Sequence, residues 1–194
     1  NQDLLYVGTD NGAYASFDRG KQWFPFSTGL PNVAVHDLVI QPTAKHIILG
    51  THGRSLYTAN IAPLQTITTE VIAKGSHMFS ISDIRKRRNW GGAWGRWSSP
   101  YTPEILIPYF LSSAKTITID VYLQEIKVAS LTKESDKGFN EASFDLSFSK
   151  KGRKLYMSTH KEVSLKAAKN GIYYLPKGSY TVKIGLQKLF FKIK

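Results

Sequence analysis

The feature that most constrains this chain is the cadence of its apolar runs. They are short, and turn residues interrupt them every eight to twelve positions. Residues 4–9 read as a strand. Asp10-Asn11-Gly12 reads as a hairpin turn, because Asn and Gly accept positive φ cheaply. Residues 13–17 are the return strand. Residues 35–40 form another strand, stopped by Gln41-Pro42. Residues 46–50 and 55–59 make a second hairpin around Thr51-His52-Gly53-Arg54. This pattern predicts an all-β fold.

Composition narrows the options. The 194 residues are 42% apolar and contain no Cys. That excludes wholesale disorder, a disulfide framework, a thiol nucleophile and Cys-based zinc sites. No apolar run approaches membrane-spanning length. The five His have no metal-ligand spacing, and no nucleophile–base set or phosphate loop is legible. The sequence therefore assigns no catalytic residue, metal or cofactor. The chain begins at Asn1 without Met, so it reads as a fragment or processed form from which any signal peptide would already be absent.

Tyr6-Val7-Gly8-Thr9 matches Ile48-Leu49-Gly50-Thr51 at an offset of 42 residues. A period of that size over several strands is the spacing of propeller blades. Between the copies lies Ser16-Phe17-Asp18-Arg19-Gly20-Lys21-Gln22-Trp23, of the form S-x-D-x-G-x-x-W. Ser16 and Asp18 can bond nearby backbone N–H groups, and Gly20 permits a left-handed residue. Trp23 can fold back and bury its ring. Ser16, Asp18, Gly20 and Trp23 together resemble the Asp-box, or BNR repeat, of sialidase-like and sortilin-like propellers. The resemblance implies that Asp18 forms a turn and is not a catalytic carboxylate. Gly50-Thr51-His52-Gly53-Arg54 resembles the closing blade of bacterial sortilin-like proteins. By that topology Asp10, Asn11, His52 and Arg54 would lie on the ligand face. Residues 1–64 would supply about one and a half blades, with further blades upstream as partners. Residues 65–105 or a neighbouring chain are the expected cover for the strand faces.

Residues 65–102 read as a connector. Residues 66–73 are a short strand or a turn of helix. Between positions 85 and 97 lie five basic residues, Arg87 and Arg88 among them, with Trp90, Trp94 and Trp97. Such a segment is either a stacking platform for sugar rings or bases, or a strap with its Trp rings buried. The strap is the preferred reading.

Residues 103–194 read as a β-sandwich. Ile117, Ile119, Val121 and Leu123 alternate with polar neighbours. Residues 137–140 read as a turn, 142–148 as a strand and 150–154 as a basic loop. Residues 162–169 fit either a strand or a helical turn. Residues 180–184 and 188–194 close the pattern, with Lys183, Lys188, Lys192 and Lys194 facing outward. Gly138-Phe139-Asn140 with Pro176-x-Gly178-x-Tyr180-x-Val182 resembles the Ig-like domains of flagellar hook-capping proteins. The ending also resembles type IX sorting domains.

The formal charge is +12, spread unevenly. Residues 1–64 carry four acids and four bases, residues 65–105 three and six, and residues 106–194 seven and sixteen. The expected architecture is a partial β-propeller plus an Ig-like β-sandwich. The expected role is a non-catalytic binding or scaffold segment of a secreted, periplasmic or cell-surface protein, recognising protein or glycan. One alternative is the accessory region of a glycoside hydrolase whose catalytic residues lie upstream. The last is a basic nucleic-acid-binding protein.

Overall fold

The computed structural model describes residues 2–26, 29–162 and 164–194. Its strands are β1 (Leu5–Thr9), β2 (Gly12–Ser16), β3 (Phe24–Pro25), β4 (Val35–Gln41), β5 (His46–Thr51), β6 (Leu56–Asn60), β7 (Ser76–Met78), β8 (Ile105–Leu111), β9 (Lys115–Leu123), β10 (Ile126–Ser135), β11 (Gly138–Phe144), β12 (Gly178–Ile184) and β13 (Gln187–Ile193). The helices are α1 (Thr69–Ala73) and α2 (Lys150–Thr159). The structure is thus mostly β. Four sheets have the orders β1-β2-β3, β4-β5-β6, β11-β8-β7 and β10-β9-β12-β13. Among the described residues they close into neither a barrel nor a propeller.

The chain divides into two compact units. The first holds Asn1–His77, Pro108–Lys115 and Ser135–Glu141; the second holds Met78–Ile107, Thr116–Glu134 and Ala142–Lys194. This partition locates the charge. The first unit carries seven acids and seven bases, the second seven acids and nineteen bases. The whole excess of +12 belongs to the second unit.

In the first unit the two expected hairpins are present. Thr9 pairs with Gly12 across the first turn, and the positive φ falls on Gly12 (124°) instead of Asn11. The 42-residue repeat has a structural counterpart. Thr9 Oγ1 donates to the Gly12 carbonyl at 3.0 Å, and Thr51 Oγ1 donates to the Ser55 carbonyl at 2.6 Å. Each threonine thus ties off the end of its hairpin. Gly8 is required by packing: a Cβ there would lie 2.5 Å from the Val35 carbonyl oxygen on β4.

The cover for this unit's aromatic residues differs from the expectation. Phe17, Phe24 and Phe110 form one cluster, with centroids 5.7, 5.7 and 5.1 Å apart, and all three are buried. Phe110 belongs to β8, outside residues 65–105. Such burial contributes roughly 1.5–3 kcal/mol per ring. Lys137 places its Nζ 4.5 Å from the centre of the Phe24 ring. Gly138 (φ 109°) lets its backbone approach the Pro25 carbonyl, where a Cβ would stand 2.8 Å away. Residue 138 therefore starts a strand, not the turn expected over 137–140. Residues 66–73 end in α1, which Thr68 caps by accepting from the Val71 N–H.

In the second unit, Ile119, Val121, Tyr180, Val182, Phe191 and Ile193 form the inner face of the four-stranded sheet. Tyr180 stacks on Phe191 at 5.2 Å and donates its hydroxyl to the Pro176 carbonyl. The alternation read from the sequence holds here.

The basic stretch 150–154 is helix, not loop. Ser149 caps α2 by accepting from the Gly152 N–H at 3.0 Å. Its own N–H and hydroxyl both donate to the Val128 carbonyl on β10. Tyr156 is the helix's buried aromatic anchor. The strand expected to run to 148 stops at Phe144, and Leu146 takes φ 58° two residues later. Residues 162–169 carry neither strand nor helix among those described; Val163 lies outside them.

Candidate functional site

Three groups of residues were singled out by sequence, and the structure treats each differently. The Ser16–Trp23 segment is a closed local network between β2 and β3. The Ser16 hydroxyl donates to Asp18 Oδ1 at 2.9 Å and accepts from the Gly20 N–H at 2.8 Å. Asp18 Oδ1 also accepts from the Gln22 N–H at 2.9 Å. Ser16 is fully buried. Arg19 and Gly20 both take positive φ, at 61° and 88°. The bond from Gln22 is the main cause holding the Asp18 carboxyl below its ordinary pKa. A carboxylate so occupied is a turn clamp, with no proton to trade near neutrality. Trp23 is the exception to the expectation. Its ring packs over Gly20 but remains 38% exposed, while neighbouring Phe17 and Phe24 fill the interior.

The second group, Asp10, Asn11, His52 and Arg54, occupies two hairpin tips and is exposed throughout. The His52 ring lies 5.2 Å from that of His36, which the sequence reading had not singled out. His52 N–H donates to the Ala34 carbonyl. Among the described residues no hydrogen bond or ion pair joins the side chains of Asp10 or Asn11 to those of His52 or Arg54. They form no convergent acid–base set.

The third group, in the second unit, splits in two. Trp90 is only 6% exposed. It meets Tyr174 edge-on at 5.8 Å and lies under the Lys86 ammonium, 5.6 Å from its ring centre. Lys86 in turn donates to the Leu175 carbonyl at 2.8 Å. Burial, with Lys177's charge second, holds Lys86 below the usual lysine pKa. Trp90 Nε1 is buried without a hydrogen-bond partner among the described residues. Trp90 is therefore an anchor and cannot be a stacking platform.

Trp94 and Trp97 contradict the buried-strap expectation. They are 101% and 94% exposed. The loop carrying them is nonetheless braced. At its base the Gly91 N–H donates to the Tyr101 carbonyl at 2.8 Å, and the Tyr101 N–H to the Gly92 carbonyl at 2.9 Å. Gly91 (φ 72°) sits where a Cβ would collide with Asn170 and Ala168. At its tip Ser98 Oγ donates to the Gly95 carbonyl and accepts from the Gly95 N–H, closing the turn Gly95–Ser98. Arg96 places its guanidinium 5.9 Å from the centre of the Trp97 ring. Arg87 and Arg88 are exposed just before the base.

The arrangement offers two indole faces and nearby guanidinium groups to solvent, on a loop pinned at both ends. Aromatic faces of this kind bind flat or cyclic ligands by stacking and attract cations or C–H-rich surfaces. Among the described residues no three His, Asp or Glu side chains converge to hold a metal ion, and no helix is long and apolar enough to cross a membrane. Set against protein-family models, curated proteins and solved structures, the chain matches none.

Proposed function

We propose that this chain is a non-catalytic binding and scaffold segment that recognises a glycan or a protein surface through the Trp94–Trp97 loop. The observation that carries the reading is the exposure of both indoles on a loop braced at base and tip. An exposed Trp is costly to keep in water and is the residue type richest in binding energy at interfaces. The anchor Trp90 and the turn at Ser98 keep the tip from collapsing onto the domain.

The first unit serves as scaffold in this reading. Its S-x-D-x-G-x-x-W turn, its 42-residue repeat and its paired three-stranded sheets support an Asp-box blade and a half. The alternating strands of the second unit support an Ig-like sandwich, and the Asp-box resemblance favours a secreted, periplasmic or cell-surface protein. Glycan-array binding by the parent chain, lost on Trp94→Ala and on Trp97→Ala, is the expected result. Absence of glycan binding by the parent chain, or binding indifferent to both substitutions, refutes the glycan form of the proposal.

A further inference from the structure

The outer face of the four-stranded sheet in the second unit carries a second set of exposed residues. Strand pairing places Lys183 directly opposite Lys188, Thr181 opposite Phe190 and Ser179 opposite Lys192. On the other side of β12, Lys183 pairs with Asp120 and Thr181 with Tyr122. Phe190 is 63% exposed on this face, and Lys183, Lys188 and Lys192 are exposed beside it.

A face maintained only for solubility would mix its charges along every strand. The β12–β13 half of this face carries lysines and no carboxylate. The acids lie on β9 and β10: Asp120 is occupied by Lys127 at 2.8 Å and by the Ser130 hydroxyl at 2.6 Å, and Glu134 is exposed near the end of β10. Beside β13, Asp83 pairs with Lys194 and accepts from the Lys192 N–H. Among the described residues Lys183 and Lys188 form no ion pair with an acid, and the Lys192 ammonium is attracted by the Asp83 carboxylate that Lys194 already holds. Like charges directly opposite across a ladder destabilise it, so the Lys183–Lys188 pair opposes folding. Lys183 is held in place by Tyr122, with its Nζ 4.4 Å from the ring centre.

We infer that this face is a binding surface for an acidic, carboxylated polysaccharide. Along β13 the pattern is Lys188, Phe190, Lys192, so the phenyl ring lies about 7 Å from each flanking lysine position. A polyuronate carries a carboxylate on every ring. A sugar stacked on Phe190 therefore sends neighbouring carboxylates along the strand toward Lys188 and Lys192. Lys183, opposite Lys188, supplies a third ammonium, and Thr181 supplies a hydroxyl beside the stacked ring. Nucleic acid fits less well. Single-strand platforms stack successive bases on several aromatic residues, and here one free ring stands alone. This site is independent of the Trp94–Trp97 loop and does not rest on it.

The test is titration of the full chain with oligogalacturonate at low ionic strength, followed by calorimetry and by amide NMR shifts. The probe is expected to bind and to shift Thr181, Tyr122 and Phe190. Phe190→Ala weakens binding roughly fivefold to tenfold, the worth of one aromatic contact. Lys188→Gln with Lys192→Gln weakens it further and flattens its salt dependence. Trp94→Ala with Trp97→Ala leaves it unchanged, which separates this site from the loop. Because the substituted side chains are exposed, the variants keep the parent's circular dichroism spectrum. No binding by the parent chain overturns the inference. So does poly-L-glutamate or single-stranded DNA binding as tightly as the oligogalacturonate, or Phe190→Ala without effect.

Discussion

Substituting Gly152 by Ala sets helix propensity against packing, and the structure decides the sign. Gly152 lies inside α2, where Ala is ordinarily better by about 1 kcal/mol. Here a Cβ would stand 2.5 Å from the Val128 carbonyl carbon and 2.7 Å from its Cα, with the carbonyl oxygen nearer still. Backbone of a paired strand cannot rotate away as a flexible side chain can. The helix must instead lift from β10. That strains the two bonds from Ser149 to the Val128 carbonyl, at 2.9 and 3.2 Å, each worth about 1 kcal/mol. Overpacking of a buried site adds about 1–3 kcal/mol. Against a gain of about 1 kcal/mol, the net expected loss is about 2–4 kcal/mol. For a chain of this size that is a fall in Tm of roughly 4–16 °C. Thermal and urea unfolding followed by far-UV circular dichroism measures it. Lys151→Ala, exposed on the same helix, should stay within about 0.5 kcal/mol of the parent. If Gly152→Ala proves as stable as the parent or more stable, the docking of α2 on β10 described above is wrong.

Two further predictions concern single side chains. Trp90→Ala should cost about 3–5 kcal/mol, whereas Trp90→Phe should cost well under half of that, because Phe also removes the unpartnered buried N–H. Urea midpoints of the two variants decide it, and equal losses would show that the indole N–H is satisfied after all. Asp18 predicts an acid limb. Its folded pKa lies below the unfolded value, so its contribution is complete above about pH 4 and is lost as the pH falls through the folded pKa. Asp18→Asn should be less stable than the parent near neutrality and should show a shallower decline below about pH 4. Parallel stability–pH curves for the two proteins would remove Asp18 from the account.

What was legible in the sequence was what local chemistry decides. The two hairpins of the first unit follow from turn residues within four positions of each other. The Ser16–Gln22 clamp follows from side chains that bond backbone no more than four residues away. The alternation in β9, β12 and β13 follows from a single buried face. What was illegible depends on distant partners. Lys150-Lys151-Gly152-Arg153-Lys154 reads as a loop because Gly breaks helices and the lysines lack an apolar stripe. Its glycine is there to let α2 approach Val128, a residue 24 positions earlier. The fates of the three loop tryptophans were likewise hidden. Trp90 is buried because Tyr174 and Lys86 meet it, and nothing within the segment distinguishes it from Trp94 or Trp97. The covering role of Phe110 is also long-range: no periodicity within residues 1–64 indicates that β8 supplies the third ring of the Phe17–Phe24 cluster.

The division of charge sharpens what the high isoelectric point means. A pI near 9.8 invites a picture of a uniformly cationic protein that clings to any polyanion. The first unit has no net charge, and the polar groups of its motif are taken up locally: Ser16 and Asp18 clamp a turn, and Arg19 is bonded to Asp3 at 2.6 Å on the surface. The second unit holds the whole excess together with Trp94, Trp97 and Phe190, the most exposed aromatic rings of the described chain. Exposed cations alone would give binding that is weak, salt-sensitive and indifferent to ligand shape. Exposed rings beside those cations add a contact that salt does not screen and that requires a flat apolar face on the ligand. Selectivity in this protein should therefore follow the rings, and affinity at low salt should follow the lysines. A ligand carrying charge without rings, or rings without charge, should recover only part of the binding.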